Sequence, residues 1–336
     1  MVRMVLISRM VAERSPASER SARMNSDVTV RRKPKKRKFL KLWPVYLMML
    51  PGLAYLFINN YMPMPGIVVA FKNYNARDGI YGSPWAGFQN FRYLFTTNDA
   101  WVITRNTILY NLAFIVVNTV LAIFVAILLS EMRAVRFKKF GQSAILLPYL
   151  ISWVIVSYLV FAFLSGSNGF VNNTILPLLG KDSVNWYSKA RNWPPIIIFA
   201  NAWKTVGYSC IIYLATIMGI DRGYYEASAI DGAGKWKQIL YITLPMLKPT
   251  IIVLTLLSIG RIFYSDFGLF YQVPMNTGAL FPTTNTIDTY VYRGLIQLNN
   301  ISMSAAAGLY QSLVGFILVM GSNLIVRKID PENALF

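Results

Sequence analysis

Six stretches of the chain are apolar enough to leave water and long enough to cross a bilayer. They are roughly 43–70, 107–130, 144–164, 195–219, 249–272 and 305–326. About 20 apolar residues in a helix cover the hydrocarbon layer, whose thickness is ~30 Å. This pattern predicts an all-α polytopic membrane protein of about six transmembrane helices. It overrides the two soluble domains that a length of 336 residues would otherwise suggest. Composition agrees, with 55% hydrophobic and 14% charged residues. The first stretch carries Pro51, Pro63 and Pro65. Each lacks a backbone donor, so a kinked or broken helix is expected there.

Charge orients these spans. Residues 1–41 hold 13 Lys/Arg against Glu13, Glu19 and Asp27, which is +10 of the chain's +19. The densest cluster is RRKPKKRK at 31–38. It reads as a cytosolic anchor for anionic headgroups at the mouth of the first span, in preference to a nucleic-acid-binding tail. Residues 1–41 are expected to form a disordered basic tail, 42–336 the transmembrane domain, and translation starts at Met1 or Met24. The connections 131–143 and 220–248 each carry four Lys/Arg. The longer connections 71–106, 165–194 and 273–304 carry four, three and one. That alternation places both termini in the cytoplasm, together with the connection between spans four and five.

The residue inventory excludes several activities. There is no histidine, and the single cysteine, Cys210, lies in an apolar run. No intrachain disulfide, metal set or convergent acid–base cluster is visible, so no catalytic residues and no bound cofactor are expected. DGAGKW at 231–236 has Gly-Lys, but Ala229 and Trp236 stand where a phosphate loop needs Gly and Ser/Thr. ATP, if transport uses it, with its magnesium, must be handled by a partner.

The stretch EASAIDGAGKWKQILYITLP at 226–245 lies in the connection between spans four and five. Its first half predicts a slim helix with Glu226 in the first turn and a stop at Gly232. In its second half Trp236, Ile239, Leu240 and Thr243 recur at helical spacing. That predicts a helix lying in the membrane interface, with Pro245 and Pro249 bracketing the turn into span five.

The same stretch resembles the cytoplasmic coupling motif of binding-protein-dependent ABC importer permeases. That motif runs Glu-Ala-Ala, then Asp-Gly-Ala, then a hydrophobic stretch ending in Leu-Pro. Glu226, Ala227, Asp231, Gly232, Ala233, Leu244 and Pro245 match it, and Ser228 replaces the second alanine with another small residue. YMPMPGIVVAFKNYN, GSPWAGFQNF, NAWKTVGY and SDFGLFYQVPMN are similar to the sugar-permease branch, including its alginate-importer members. The likeness covers roughly 40–336. It implies a type I importer permease fold with a cytoplasmic coupling helix, docked into a groove of a separate ATPase. It also implies an inner (plasma) membrane location in a bacterium, a related second permease making a heterodimer, two ATPase subunits, an extracytoplasmic solute-binding protein and an oligosaccharide substrate. A self-sufficient, ion-coupled secondary transporter is the alternative. It would usually show an internal repeat between the halves, and none is visible.

Lys204, Arg261 and Asp266 fall inside predicted spans, where an ionisable group costs about 2.5–3.5 kcal/mol at the centre. Two readings stand side by side. In one, Arg261 and Asp266 line the substrate path and bind sugar hydroxyls or a uronate carboxylate, with Lys204, Trp153 and Tyr264 beside them. In the other, Lys204 and Asp266 form a structural pair between spans. Tyr158, Trp203, Tyr208 and Phe267 are further aromatic candidates for stacking on sugar rings. Phe88, Phe91 and Phe95 are spaced for an amphipathic helix on the outer surface.

Overall fold

The computed structural model describes residues 35–329. Residues 1–34 lie outside that range, and with them most of the basic tail and the choice of start residue. Among the described residues five helices are long and apolar enough to span a membrane, or six if two helices bent 96° at a short break count as one span. Among the described residues the only strand-like pairing is an isolated bridge, Lys72 to Trp85. The chain divides into two compact units at Pro65/Gly66.

The first unit contains helix α1, Lys35–Leu56, which tolerates Pro44 and Pro51 internally and passes into a π-helical turn at Phe57–Tyr61. Regular structure stops at Met62–Pro63, so the expected interruption falls at the second proline of the run and not at Pro51.

The second unit carries the rest. Helix α2 is Gln89–Thr96 and α3 is Asp99–Glu131. The phenylalanine stripe is shared between the surface and the protein: Phe88 and Phe95 stay largely exposed, yet each also touches an aromatic neighbour. Phe71 packs edge-on against Phe88 and at a tilt against Phe91, while Phe95 meets Tyr310 with ring centroids 5.2 Å apart.

Span three is not the single helix expected over 144–164. Helix α4, Val135–Leu150, ends beside its internal Pro148, and α5, Trp153–Leu164, starts afresh with Ser152 as its N-cap. Helix α6 is Trp193–Met218. Its Ala202, Val206, Cys210 and Tyr213 pack against Ala122, Ala126 and Leu129 of α3. Small residues let the two backbones come close, which is how helices associate where no water drives them together. A Cβ at Gly207 would overlap the Ile145 carbonyl, so α4 crosses α6 at this glycine.

Helix α7 is Arg222–Ile230. Helix α8, Lys235–Gln238, runs through a π-helical turn at Ile239–Thr243 into α9, Leu244–Ile259. Span five therefore begins at Lys235 and ends at Ile259. The helix expected over 236–243 forms and runs on into α9, while the turn expected between Pro245 and Pro249 does not form. Pro245 follows directly on the π-helical turn, in the first turn of α9, and Pro249 lies inside the helix. After a break at 260–266 come α10, Phe267–Gln272, then α11, Ile287–Ile296, and α12, Ile301–Ile329.

Candidate translocation cavity and coupling face

The break after α9 frees backbone groups at membrane depth, where non-helical chain survives only if protein or a wet cavity satisfies it. Here neutral amides do so. Asn111 Nδ2 on α3 donates to the carbonyls of Ile262 (3.0 Å) and Tyr264 (3.1 Å). Gln311 Nε2 on α12 donates to Phe263 O at 2.8 Å. The Ser265 N–H donates to Asp288 Oδ2 at 2.7 Å. Asp266 caps α10 by accepting from Leu269 N.

This break forms one wall of a cavity of about 620 Å³. Its polar lining comes from Asn111, Asn118, Thr119, Ser209, Ser258, Arg261, Ser265 and Asp266, with Tyr208, Tyr213 and Tyr264 among them. Arg261 is exposed and makes no hydrogen bond or ion pair through its guanidinium with any described residue. Arg261 and Asp266 thus stand in an interrupted segment bordering the cavity, and not within the continuous fifth helix expected from sequence.

The break in span three is satisfied differently. Lys204 on α6 is 8% exposed. Its Nζ donates to the carbonyls of Tyr149 (2.9 Å), Pro148 (3.4 Å) and Ile151. It also lies 5.3 Å from the Trp153 ring centroid and 5.7 Å from that of Tyr149. The Lys204–Asp266 ion pair of the structural reading is not formed. Trp153 stands between them, its Nε1 donating to Asp266 Oδ2 at 2.7 Å while its ring faces the ammonium. A Cβ at Gly268 would overlap that indole, so the glycine permits the link.

Of the expected path residues, the structure brings Arg261, Tyr264 and Asp266 to one cavity, together with Tyr208. Lys204 and Trp153 stand behind it. Trp203 lines a separate apolar pocket, Tyr158 a small pocket of mixed polarity, and Phe267 stacks on Tyr271. Asn111 and Asn118 escaped the sequence reading, because an asparagine inside an apolar helix carries no charge to mark it.

At the other end, α7 projects as a short capped helix. Asp221 is its N-cap and accepts from Gly223 N at 2.9 Å. Glu226 is therefore past the first turn, one residue beyond the place expected for it. The helix ends in a Schellman motif. Ala233 N donates to Ser228 O at 2.9 Å, Gly232 N donates to Ala229 O at 3.1 Å, and Gly232 takes φ +77°. A side chain at that φ costs about 1–2 kcal/mol.

The inner face of α7 is bolted to α8. Gln238 Nε2 donates to Ser228 Oγ (3.0 Å) and to Tyr225 O (3.1 Å). The Tyr225 hydroxyl meets Thr243 Oγ1 at 3.0 Å. Ser228 is thus more than a small substitute for alanine, since its hydroxyl accepts a bond that alanine has no atom to make. Glu226, Ala227, Ile230, Asp231 and Gly232 remain exposed. Leu244 and Pro245 belong to the helix that rises from α8.

Residues 100–331 match the family of binding-protein-dependent transport system inner membrane components. The chain is 36% identical over 309 residues to the polygalacturonan/rhamnogalacturonan transport system permease protein YteP of Bacillus subtilis, covering 91% of this chain and 95% of that one. It is 36% identical over 290 residues to protein LplB of the same organism, covering 86% and 90%. Among solved structures, a chain of a bacterial ABC transporter involved in the import of the acidic polysaccharide alginate superposes with a TM-score of 0.80 at 33% identity, covering 88% of this chain and 98% of that one. A second structure of an alginate ABC transporter, in complex with an alginate pentasaccharide-bound periplasmic protein, matches at 0.79 and 32%.

Proposed function

The chain belongs to the binding-protein-dependent transport system inner membrane components, as a permease of ABC sugar importers, and from that premise we propose that it forms half of a path for an acidic oligosaccharide. A second, related permease supplies the other half of the path. The exposed face of α7 docks into a groove on one of two ATPase subunits, where ATP and magnesium are used. An extracytoplasmic binding protein delivers the sugar. Both termini face the cytoplasm, as the Lys/Arg alternation requires.

The observation that carries the substrate class is Arg261. It is a guanidinium with no carboxylate partner, in a cavity whose remaining polar walls are mostly amides and hydroxyls. Amides and hydroxyls suit sugar hydroxyls; a bare guanidinium suits a uronate carboxylate, which it grips through two parallel N–H bonds. The relatives named for polygalacturonan and for alginate carry acidic sugars, which supports the same class.

The test is uptake into proteoliposomes holding the whole importer. Arg261→Gln should slow uptake of an oligouronide by about 10- to 100-fold, the worth of one charge-assisted hydrogen-bonded contact, with little change for a neutral oligosaccharide of equal length. Equal effects on both sugars, or none on either, would remove Arg261 from the path.

A further inference from the structure

A second cavity, of about 720 Å³, opens beside α7. Its volume is in the range of small-molecule sites, about 300–1,000 Å³. Five cations from four segments line it: Arg133 in the α3–α4 link, Lys138 and Lys139 on α4, Arg222 on α7 and Lys235 on α8. A single carboxylate, Glu131, lines it too, and that one is already paired with Lys235 at 2.8 Å. This is the one ion pair among the described residues. The side chains of Arg133, Lys138, Lys139 and Arg222 have no hydrogen-bond or ion-pair partner among the described residues.

Helix polarity sharpens the imbalance. Ala134 gives α4 no side-chain cap and no acid stands in its first turn, yet Arg136, Lys138 and Lys139 crowd its start. Cations at a helix N-terminus oppose the macrodipole, and an anion there offsets both the dipole and the cations. The rest of the lining includes Ile127, Ile217 and Ile239, so the cavity has an apolar side as well as a basic one.

We propose that this cavity binds a phosphate-bearing anion, from the headgroup of an anionic phospholipid or from a free solute, and that the bound anion ties α7 to α3 and α4. The position favours such a ligand, because the Lys/Arg alternation puts this end of the chain at the anionic cytoplasmic leaflet. Arg222 is the first residue of α7 and Lys235 the first of α8. An anion shared by them and by Lys138 and Lys139 therefore sets how firmly the projecting helix is held.

The experiment measures acetylation rates of individual lysines by mass spectrometry, on the full chain in nanodiscs. Discs of phosphatidylcholine alone are compared with discs containing phosphatidylglycerol, each with and without inorganic phosphate. Lys237 and Lys248 lie on the same connection but outside the cavity lining, and they report the general surface potential. The expected result is slowing of Lys138, Lys139 and Lys235 by about fivefold beyond the slowing of those two controls. Slowing by phosphatidylglycerol alone identifies a lipid headgroup; slowing by inorganic phosphate in phosphatidylcholine identifies a solute. Lys138→Gln with Lys139→Gln should then abolish retention of phosphatidylglycerol in native mass spectra, or the phosphate effect on Lys235. Equal slowing of all lysines, no slowing, or slowing only when the ATPase subunit is added would overturn the proposal; the last would assign the cavity to an acidic protein surface.

Discussion

Two of this permease's interrupted spans, the third and the fifth, are mended with opposite chemistry. Where α4 gives way to α5, one buried ammonium donates to three carbonyls. Where α9 stops short of α10, two neutral amides and the Asp288 carboxylate share the work. The second break borders the polar cavity, whereas neither Lys204 nor Trp153 lines it. The difference assigns them different duties. A cation held among carbonyls and aromatic faces has nowhere better to go, so the first break is a clasp. Asn111 lines the polar cavity, where its amide can exchange with water or with sugar hydroxyls, so the second break is a binding wall.

The largest effect that tests this contrast is Lys204→Met. It keeps most of the side-chain volume but removes every donor. Three carbonyls then lose their partner in a buried place, at about 1–3 kcal/mol for each group left unsatisfied. The variant should unfold at a clearly lower temperature in detergent and give little assembled importer, with Lys204→Arg intermediate. A Lys204→Met protein as stable as the parent would show that the bend holds itself, and the word clasp would be wrong.

Asn111→Leu should cost less. It leaves the carbonyls of Ile262 and Tyr264 unpaired, but the adjoining cavity lets water reach them. A loss of about 1 kcal/mol is expected, near the net worth of one ordinary hydrogen bond. The melting shift should be small while oligosaccharide uptake falls. If Asn111→Leu destabilises as much as Lys204→Met, the second break is as dry as the first, and the contrast between clasp and wall collapses.

The spans themselves were legible because hydropathy is a property of neighbouring residues. The breaks were not, because their repair is non-local. Lys204 lies 56 residues from Pro148, and Asn111 lies 151 from Ile262. A lysine in a span announces a cost without naming who meets it, and the nearest acid at similar depth, Asp266, was the natural guess. The structure answers with carbonyls and an indole instead. The coupling stretch was read more accurately at its turn than at its second half. Gly232 takes the left-handed conformation that stops a helix, a local matter of φ. Whether Pro245 starts a turn or sits in a first helical turn depends on what precedes it, and here the π-helical turn at Ile239–Thr243 carries the helix through.

The smallest expected effect on stability separates fold from transport most cleanly. Asp266 has two structural jobs, capping α10 and accepting from Trp153. The substitution Asp266→Asn would keep the cap, since asparagine is as good an N-cap as aspartate, but its single amide oxygen cannot also accept from the Trp153 indole, which the new NH2 group would face. The melting temperature of this variant should therefore fall by the equivalent of about 0.5 kcal/mol, the low end for one net hydrogen bond, because the lost bond is exposed to solvent. What the substitution does remove is the negative charge beside Arg261 on the cavity wall. If that charge serves only to hold α10 and Trp153 in place, uptake of oligouronide and of neutral sugar should both persist. If it tempers the attraction of Arg261 for uronates, the variant should bind them more tightly and release them more slowly, leaving neutral sugars alone. A loss of stability well beyond that single bond would contradict both, and would mean that the carboxylate's charge couples to the Lys204 ammonium through the intervening indole, making the two breaks one device.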